Sequence, residues 1–323
     1  MSEDNEGVLV LAYFGRRFIG FLVTLFVVSL LVFLVIRVIP GDPAQIMLGT
    51  EATPESLAAL RERLGLNAPL YVQYFIWIDG LLSGALGESL RYGVPIGKLV
   101  ATRFAVTGPL ALLAIAIALG LGIPLGIYAA IHRNRFGDYG IMVFSQLGLA
   151  VPSFWAGILL ILLFAVRLRW FSAGGFVPWS ESVPGAMKSI LLPSLALGVI
   201  HAAVVTRLTR STMLEVMNQE YIRTARGKGL VERMVLYKHA LRNALIPIVT
   251  VVGLQFASLL GGTIIIENVF YLPGLGRLAY QAISHRDLPV VQDVVLLITV
   301  MVVVMNLLVD LSYVLLDPRI RLE

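Results

Sequence analysis

Few residues in this sequence have the type and spacing for chemistry. The four histidines, His132, His201, His239 and His285, are scattered, with no nucleophile grouped around any of them. A hydrolase needs a nucleophile beside a base, so that class finds no support. Cysteine is absent, which removes disulfides, thiolate metal sites and thiol nucleophiles. Gly97-Lys98-Leu99 and Gly227-Lys228-Gly229 both fail the G-x-x-x-x-G-K-[ST] pattern of a phosphate-cradling loop. No catalytic, cofactor-binding or metal-ligating residue is therefore expected, and any ATP chemistry must come from a partner. Asp310 lies in the last apolar run, where charge is costly and often functional. An ion-coupled secondary transporter of small solutes would use such a group. Its place near the end of the run, within reach of water, Arg319 or Arg321, favours a structural role. His201, in another apolar run, reads as a hydrogen-bonded packing residue.

The elements that must position these residues lie in lipid. Of 323 residues, 58% are hydrophobic and only 14% charged, with a mean hydropathy of +0.87. A soluble core could not hide that much apolar surface. Soluble enzymes, disordered chains and nucleic-acid binders are excluded, and the net charge of +5 is that of basic loops. Six apolar stretches are long enough or nearly so to cross a bilayer: Phe18–Ile36, Val106–Ile131, Tyr139–Val166, Ile190–Val205, Leu245–Ile266 and Val294–Leu316. Unbroken runs exclude a β-barrel. The first run is too long for a signal-peptide core and lacks a cleavage site, so it reads as a retained helix. The expected fold is an all-α polytopic membrane protein of six transmembrane helices, a single transmembrane domain over 1–323.

With a cytoplasmic N-terminus, the inside segments hold 14 Lys/Arg in 69 residues and the outside segments 11 in 119, a bias in the expected direction. The chain is then a multi-pass membrane protein with both termini on the cytoplasmic side. Residues 37–105 form an extracytoplasmic insertion. Within it, Thr53-Pro54-Glu55 reads as N-cap, first-turn proline and first-turn acid. Tyr71, Tyr74, Phe75 and Trp77 form an aromatic cluster suited to the membrane boundary. Five prolines, Pro109, Pro124, Pro152, Pro193 and Pro247, fall in the spans and tend to kink them. Two small-residue stripes recur every fourth position. Ala118, Gly122 and Gly126 form one; Gly253, Ala257 and Gly261 form the other, a candidate subunit-interface or pore-lining stripe.

The densest polar segment is the cytoplasmic loop 207–244, with eight basic and three acidic residues. Leu214, Met217, Tyr221 and Ala225 share one face of an expected helix, Gly227 and Gly229 break it, and a second pattern runs from Val231 through Met234, Val235, Lys238 and Leu241 to Leu245. Such a helix–turn–helix can insert an apolar face into a groove and fix its register with charge. On charge and periodicity alone, a basic hairpin resting on anionic lipid is the competing reading.

The residues themselves shift that balance. Glu220-Tyr221-Ile222-Arg223-Thr224-Ala225-Arg226-Gly227-Lys228-Gly229-Leu230 resembles the cytoplasmic coupling loop of ATP-binding-cassette importer permeases of the dipeptide/oligopeptide/nickel type. His239-Ala240-Leu241-Arg242-Asn243-Ala244-Leu245-Ile246-Pro247 fits the same branch. So do Pro40-Gly41-Asp42-Pro43, Leu64-Gly65-Leu66, Pro273-Gly274-Leu275-Gly276, Arg286-Asp287-Leu288-Pro289 and Leu316-Asp317-Pro318-Arg319, in order along most of the chain. The wider superfamily's Glu-Ala-Ala triplet, aligned on Gly229, falls on Arg223-Thr224-Ala225, leaving Glu220 outside it, and the downstream proline falls on Arg242. That departure favours the peptide-type branch.

The resemblance implies a type I importer permease fold with a coupling helix between the fourth and fifth spans. The coupling residues would be Glu220, Tyr221, Arg223, Thr224, Ala225, Arg226, Lys228, Gly229 and Leu230. It implies a heterodimer with a homologous second permease, two cytoplasmic ATPase subunits carrying ATP and Mg, an extracytoplasmic substrate-binding protein, and membrane lipid around the spans. The chain itself would bind no cofactor and move substrate by alternating access. Peptides, nickel, glutathione-like compounds and opines all stay open as substrates.

Overall fold

A computed structural model describes residues 3–38, 43–48, 52–63 and 65–316. Pro40-Gly41-Asp42, Leu64, Asp317-Pro318-Arg319 and Arg321 lie outside the described residues. The fold is nearly all helical: among the described residues there is one isolated bridge, Glu88 with Pro95, and no strand. In chain order the helices are α1 Glu3–Val38, α2 Pro43–Leu48, α3 Pro54–Arg63, α4 Leu70–Ser83, α5 Ile96–Ile131, α6 Phe136–Ala150, α7 Ser153–Leu160, α8 Val183–Met217, α9 Glu220–Gly227, α10 Glu232–Met234, α11 Leu241–Val269, α12 Leu275–Ser284 and α13 Leu288–Leu316. Two π-helical stretches, Ile161–Arg167 and Val235–Ala240, extend α7 and join α10 to α11.

Among the described residues, five single helices are long and apolar enough to cross a membrane, and α6 with α7 makes a sixth span if the pair counts as one. That pair is bent by 103°. The expected run over Tyr139–Val166 is thus broken, and Pro152, one of the five prolines expected to kink the spans, is the reason. Val151 is extended (ψ 122°), and Pro152, without an N–H, stands at the N-cap of α7. The other four prolines stay inside continuous helices. The short fourth run is the middle of the 35-residue α8. The helix outlasts its apolar run because Thr206, Thr209, Thr212 and Met213 are buried along it, with Thr206 and Thr212 donating to carbonyls one turn back.

The chain divides into two compact units. One comprises Met1–Phe21, Gly108–Leu272 and Val302–Glu323; the other Leu22–Thr107 and Pro273–Met301. In the first, α5 and α8 approach closely. A Cβ built on Gly122 would lie 2.6 Å from Val205 Cβ, and one on Gly126 2.5 Å from Thr209 Cβ. The Ala118–Gly122–Gly126 stripe is therefore spent on packing inside the chain. Asp138, at the start of α6, is 1% exposed and accepts two bonds from Arg210 of α8, at 2.5 and 2.7 Å. In α13, Asp310 takes Arg17 of α1 as its partner at 2.8 Å.

In the second unit, α12 packs Leu275, Leu278, Ala279 and Ala282 against Ile96, Val100, Leu288, Val290, Val291 and Val294. Thr53 caps α3 as expected, its hydroxyl accepting from the Ser56 N–H at 3.2 Å. The aromatic cluster is tied inward at two points. Tyr74 is buried and shares a 2.7 Å hydrogen bond with Ser29, and Trp77 donates to Asp293 at 2.8 Å. Tyr71 and Phe75 stay exposed.

Candidate functional site

The segment between α8 and α11 is a helical elbow. It begins where α8 stops: Asn218 turns its side-chain amide back to the Leu214 carbonyl at 2.9 Å, and Gln219 is extended (ψ 149°) before α9. The single helix expected to carry Leu214, Met217, Tyr221 and Ala225 on one face is therefore two helices. Within α9, Ile222 and Ala225 are buried while Tyr221 is 43% exposed. The polar residues Glu220, Arg223, Thr224, Arg226 and Lys228 are all exposed.

The floor beneath α9 is apolar. Ile222 and Ala225 pack with Ile127 and Ala130 from α5, Met213 from α8, Val235, Leu236 and Ala240 from the π-helical stretch, and Ala244 and Ile248 from α11. The second half of the elbow differs from the sequence expectation. Val231 and Met234 are exposed, and the buried line is Val235, Leu236, Ala240, Ala244, Ile248. A π-helical turn holds one residue more than an α turn, so the buried face shifts along the chain by about one position. Hydrophobic spacing at α-helical period cannot anticipate that shift.

Gly229 makes the turn. Its φ is +76°, which a glycine adopts at no steric cost. The Gly229 N–H donates to the Arg226 carbonyl at 2.9 Å and the Leu230 N–H to the Ala225 carbonyl at 3.4 Å. These are the two bonds of a Schellman motif, with the expected apolar contact between Leu230 and the Ala225 floor. A Cβ at Gly229 would meet nothing within 4 Å, so backbone conformation, not space, demands glycine here.

Three side-chain links hold the elbow. Arg223 donates to Glu220 at 2.8 Å along α9. Arg226 donates twice to Glu232 across the turn, at 2.7 and 3.1 Å, and the bond holds the guanidinium above its ordinary pKa. Asn243 of α11 donates to the Tyr221 hydroxyl at 3.0 Å and to the His239 carbonyl at 2.9 Å. Sequence reading assigned Glu220, Tyr221, Arg223 and Arg226 to the coupling loop but gave no such role to their partners Glu232 and Asn243. Both are ordinary polar residues whose pairing only the turn reveals.

The other candidates separate. In the second small-residue stripe, Gly253 faces α13, where a Cβ would lie 2.9 Å from Asn306 Oδ1. Ala257 is half-buried, and a Cβ at Gly261 would meet nothing within 4 Å. His201 is buried and its Nδ1 lies 2.9 Å from Gln255 Oε1, the packing arrangement expected of it. Among the described residues no group of His, Asp and Glu is placed to hold a metal ion.

A nearly all-helical chain with five to six candidate spans among the described residues, and a short polar helix between α8 and α11 in chain order, is the plan of a membrane permease. The fold resembles that of the MetNI methionine ABC transporter in inward-facing conformations, with a TM-score of 0.55 at 17% identity over 68% of this chain and 96% of that one. Residues 122–322 match the binding-protein-dependent transport system inner membrane component, and residues 10–104 match the N-terminal region of such membrane components. The chain belongs to this family of importer permeases and is an integral inner-membrane protein. A Brucella abortus chain named as a peptide transport system permease protein is 46% identical over 92% of this chain and 95% of its own length. The dipeptide transport system permease protein of Alkalihalophilus pseudofirmus is 40% identical over 97% of this chain and 100% of its own. The glutathione transport system permease protein of Escherichia coli is 41% identical over 97% and 99%.

Proposed function

We propose that this chain is the pore-forming permease subunit of an ATP-driven, binding-protein-dependent importer of di- or oligopeptides. The names of its relatives support the peptide class. It works as a single permease domain beside a homologous second permease, with two cytoplasmic ATPase subunits that hold ATP and Mg and an extracytoplasmic binding protein that delivers substrate. This chain supplies no cofactor site. Both termini face the cytoplasm, residues 37–105 face outward and 207–244 inward, in line with the Lys/Arg bias. Gly261, with open space beside it, is the part of its stripe available to a second subunit.

The observation that carries the reading is the build of α9: two buried apolar residues below and a charged, exposed surface above. Glu220, Arg223, Thr224, Arg226 and Lys228 face the ATPase; Ala225, Gly229 and Leu230 shape the seat. ATP-driven closure of the ATPases pushes α9 and reorients the spans, opening the pathway outward; hydrolysis restores the inward-facing state. A few kcal/mol of differential binding, on the order of what a two-state shift requires, suffices. The ion-coupled alternative loses its main residue, because Asp310 is paired with Arg17.

Gly229→Asp tests this. A β-carbon is disfavoured at positive φ. The chain should still reach the membrane, while uptake is lost and ATP hydrolysis stops responding to loaded binding protein. Normal uptake and normal stimulation in Gly229→Asp would overturn the proposal.

A further inference from the structure

The apolar floor under α9 resists separation but gives no direction to a push, because hydrophobic contacts are non-directional. A displacement of α9 reaches α11 faithfully only through directional bonds. Asn243 supplies one. It lies 22 residues from Tyr221 in sequence, and its amide nitrogen has two hydrogens with separate acceptors, the His239 carbonyl one turn back and the Tyr221 hydroxyl. The first bond fixes the amide on its own helix, so the second points at α9. Arg226 and Glu232 close the turn on the other side of Gly229 with a two-pronged ion pair. Together the two links make α9, the turn and the entry to α11 a braced triangle.

We infer that Tyr221 and Asn243 are positioning residues for transport, a strut that carries the motion of α9 into the fifth span, with the Arg226–Glu232 clasp keeping its angle. The inference rests on the coupling role proposed for α9. Tyr221 thus acts through its hydroxyl toward Asn243, not as a contact of the ATPase.

The experiment uses the complete transporter in proteoliposomes, with binding protein and peptide, and reads peptide transported per ATP hydrolysed. Tyr221→Phe removes one oxygen and leaves the ring. It should lower that ratio about fivefold, the factor of one ordinary hydrogen bond. Asn243→Ala should lower it similarly, and the double variant should be no worse than either alone. Co-purification of the ATPase subunits should be unchanged in all three. A wild-type ratio in Tyr221→Phe, or a double variant equal to the product of the singles, would overturn the strut. Arg223→Glu, on the exposed face, separates this failure from that of the coupling reading. If Arg223→Glu uncouples transport while Tyr221→Phe does not, only the strut fails. If both are normal, the coupling reading fails with it.

Discussion

The elbow over 218–243 and the region built from residues 52–95 with 287–293 both contain short connecting segments, and they treat polar groups in opposite ways. In the second region the key groups are hidden. Asp287, 2% exposed, accepts from the Ser89 hydroxyl and from the Leu90 and Arg91 N–H groups, and Asp293 accepts from Trp77. In the elbow an apolar line of Ile222, Ala225, Val235, Leu236 and Ala240 is hidden and the ions are left outside. Buried, satisfied polar groups make a region rigid and self-sufficient. Exposed ions over an apolar seat contribute little to stability. On the function proposed above, a partner ATPase reads them.

The largest expected effect lies in the second region. Asp287→Ala leaves a hydroxyl and two backbone donors without their acceptor, at a cost of about 3 kcal/mol. Thermal unfolding of the purified chain in detergent should show it plainly; an unchanged midpoint would erase the contrast between the two regions. Arg226→Ala in the elbow should cost under about 1 kcal/mol in the same assay, because both partners are exposed. Transport per ATP should nevertheless fall. A large loss of stability would make the elbow as self-sufficient as the second region. Gly261→Leu should have the smallest effect on the chain itself, within about 0.5 kcal/mol, since nothing lies near its Cβ. Its effect should appear as weaker pairing with the second permease in size-exclusion chromatography; undisturbed pairing would remove Gly261 from the interface.

Much of this was legible in the residues. Apolar runs marked the spans, because helix length and bilayer thickness are set by simple geometry. The elbow was marked by its own motif, and Gly229 by the turn it must make. Three things were hidden for physical reasons. The break at Asn218-Gln219 is made by an extended Gln219 beside an Asn218 whose amide bonds Leu214, a local arrangement that hydrophobic spacing does not announce. The π-helical stretch from Val235 displaces the buried face, and periodicity at 3.6 residues is blind to it. The pairings of Asp138 with Arg210, Trp77 with Asp293 and Tyr221 with Asn243 join residues far apart in sequence, so charge counts placed Arg210 among the loop cations when it is half of a largely buried pair.

The central claim is that an ATPase grips the exposed face of α9 from the cytoplasmic side. The chain has no cysteine, so a single Lys228→Cys gives one chemical handle. In membranes holding the complete transporter, that cysteine should cross-link to an ATPase subunit and react with an impermeant maleimide only from the cytoplasmic side. Labelling from the outside, or no cross-link to the ATPase while uptake is normal, would contradict the account.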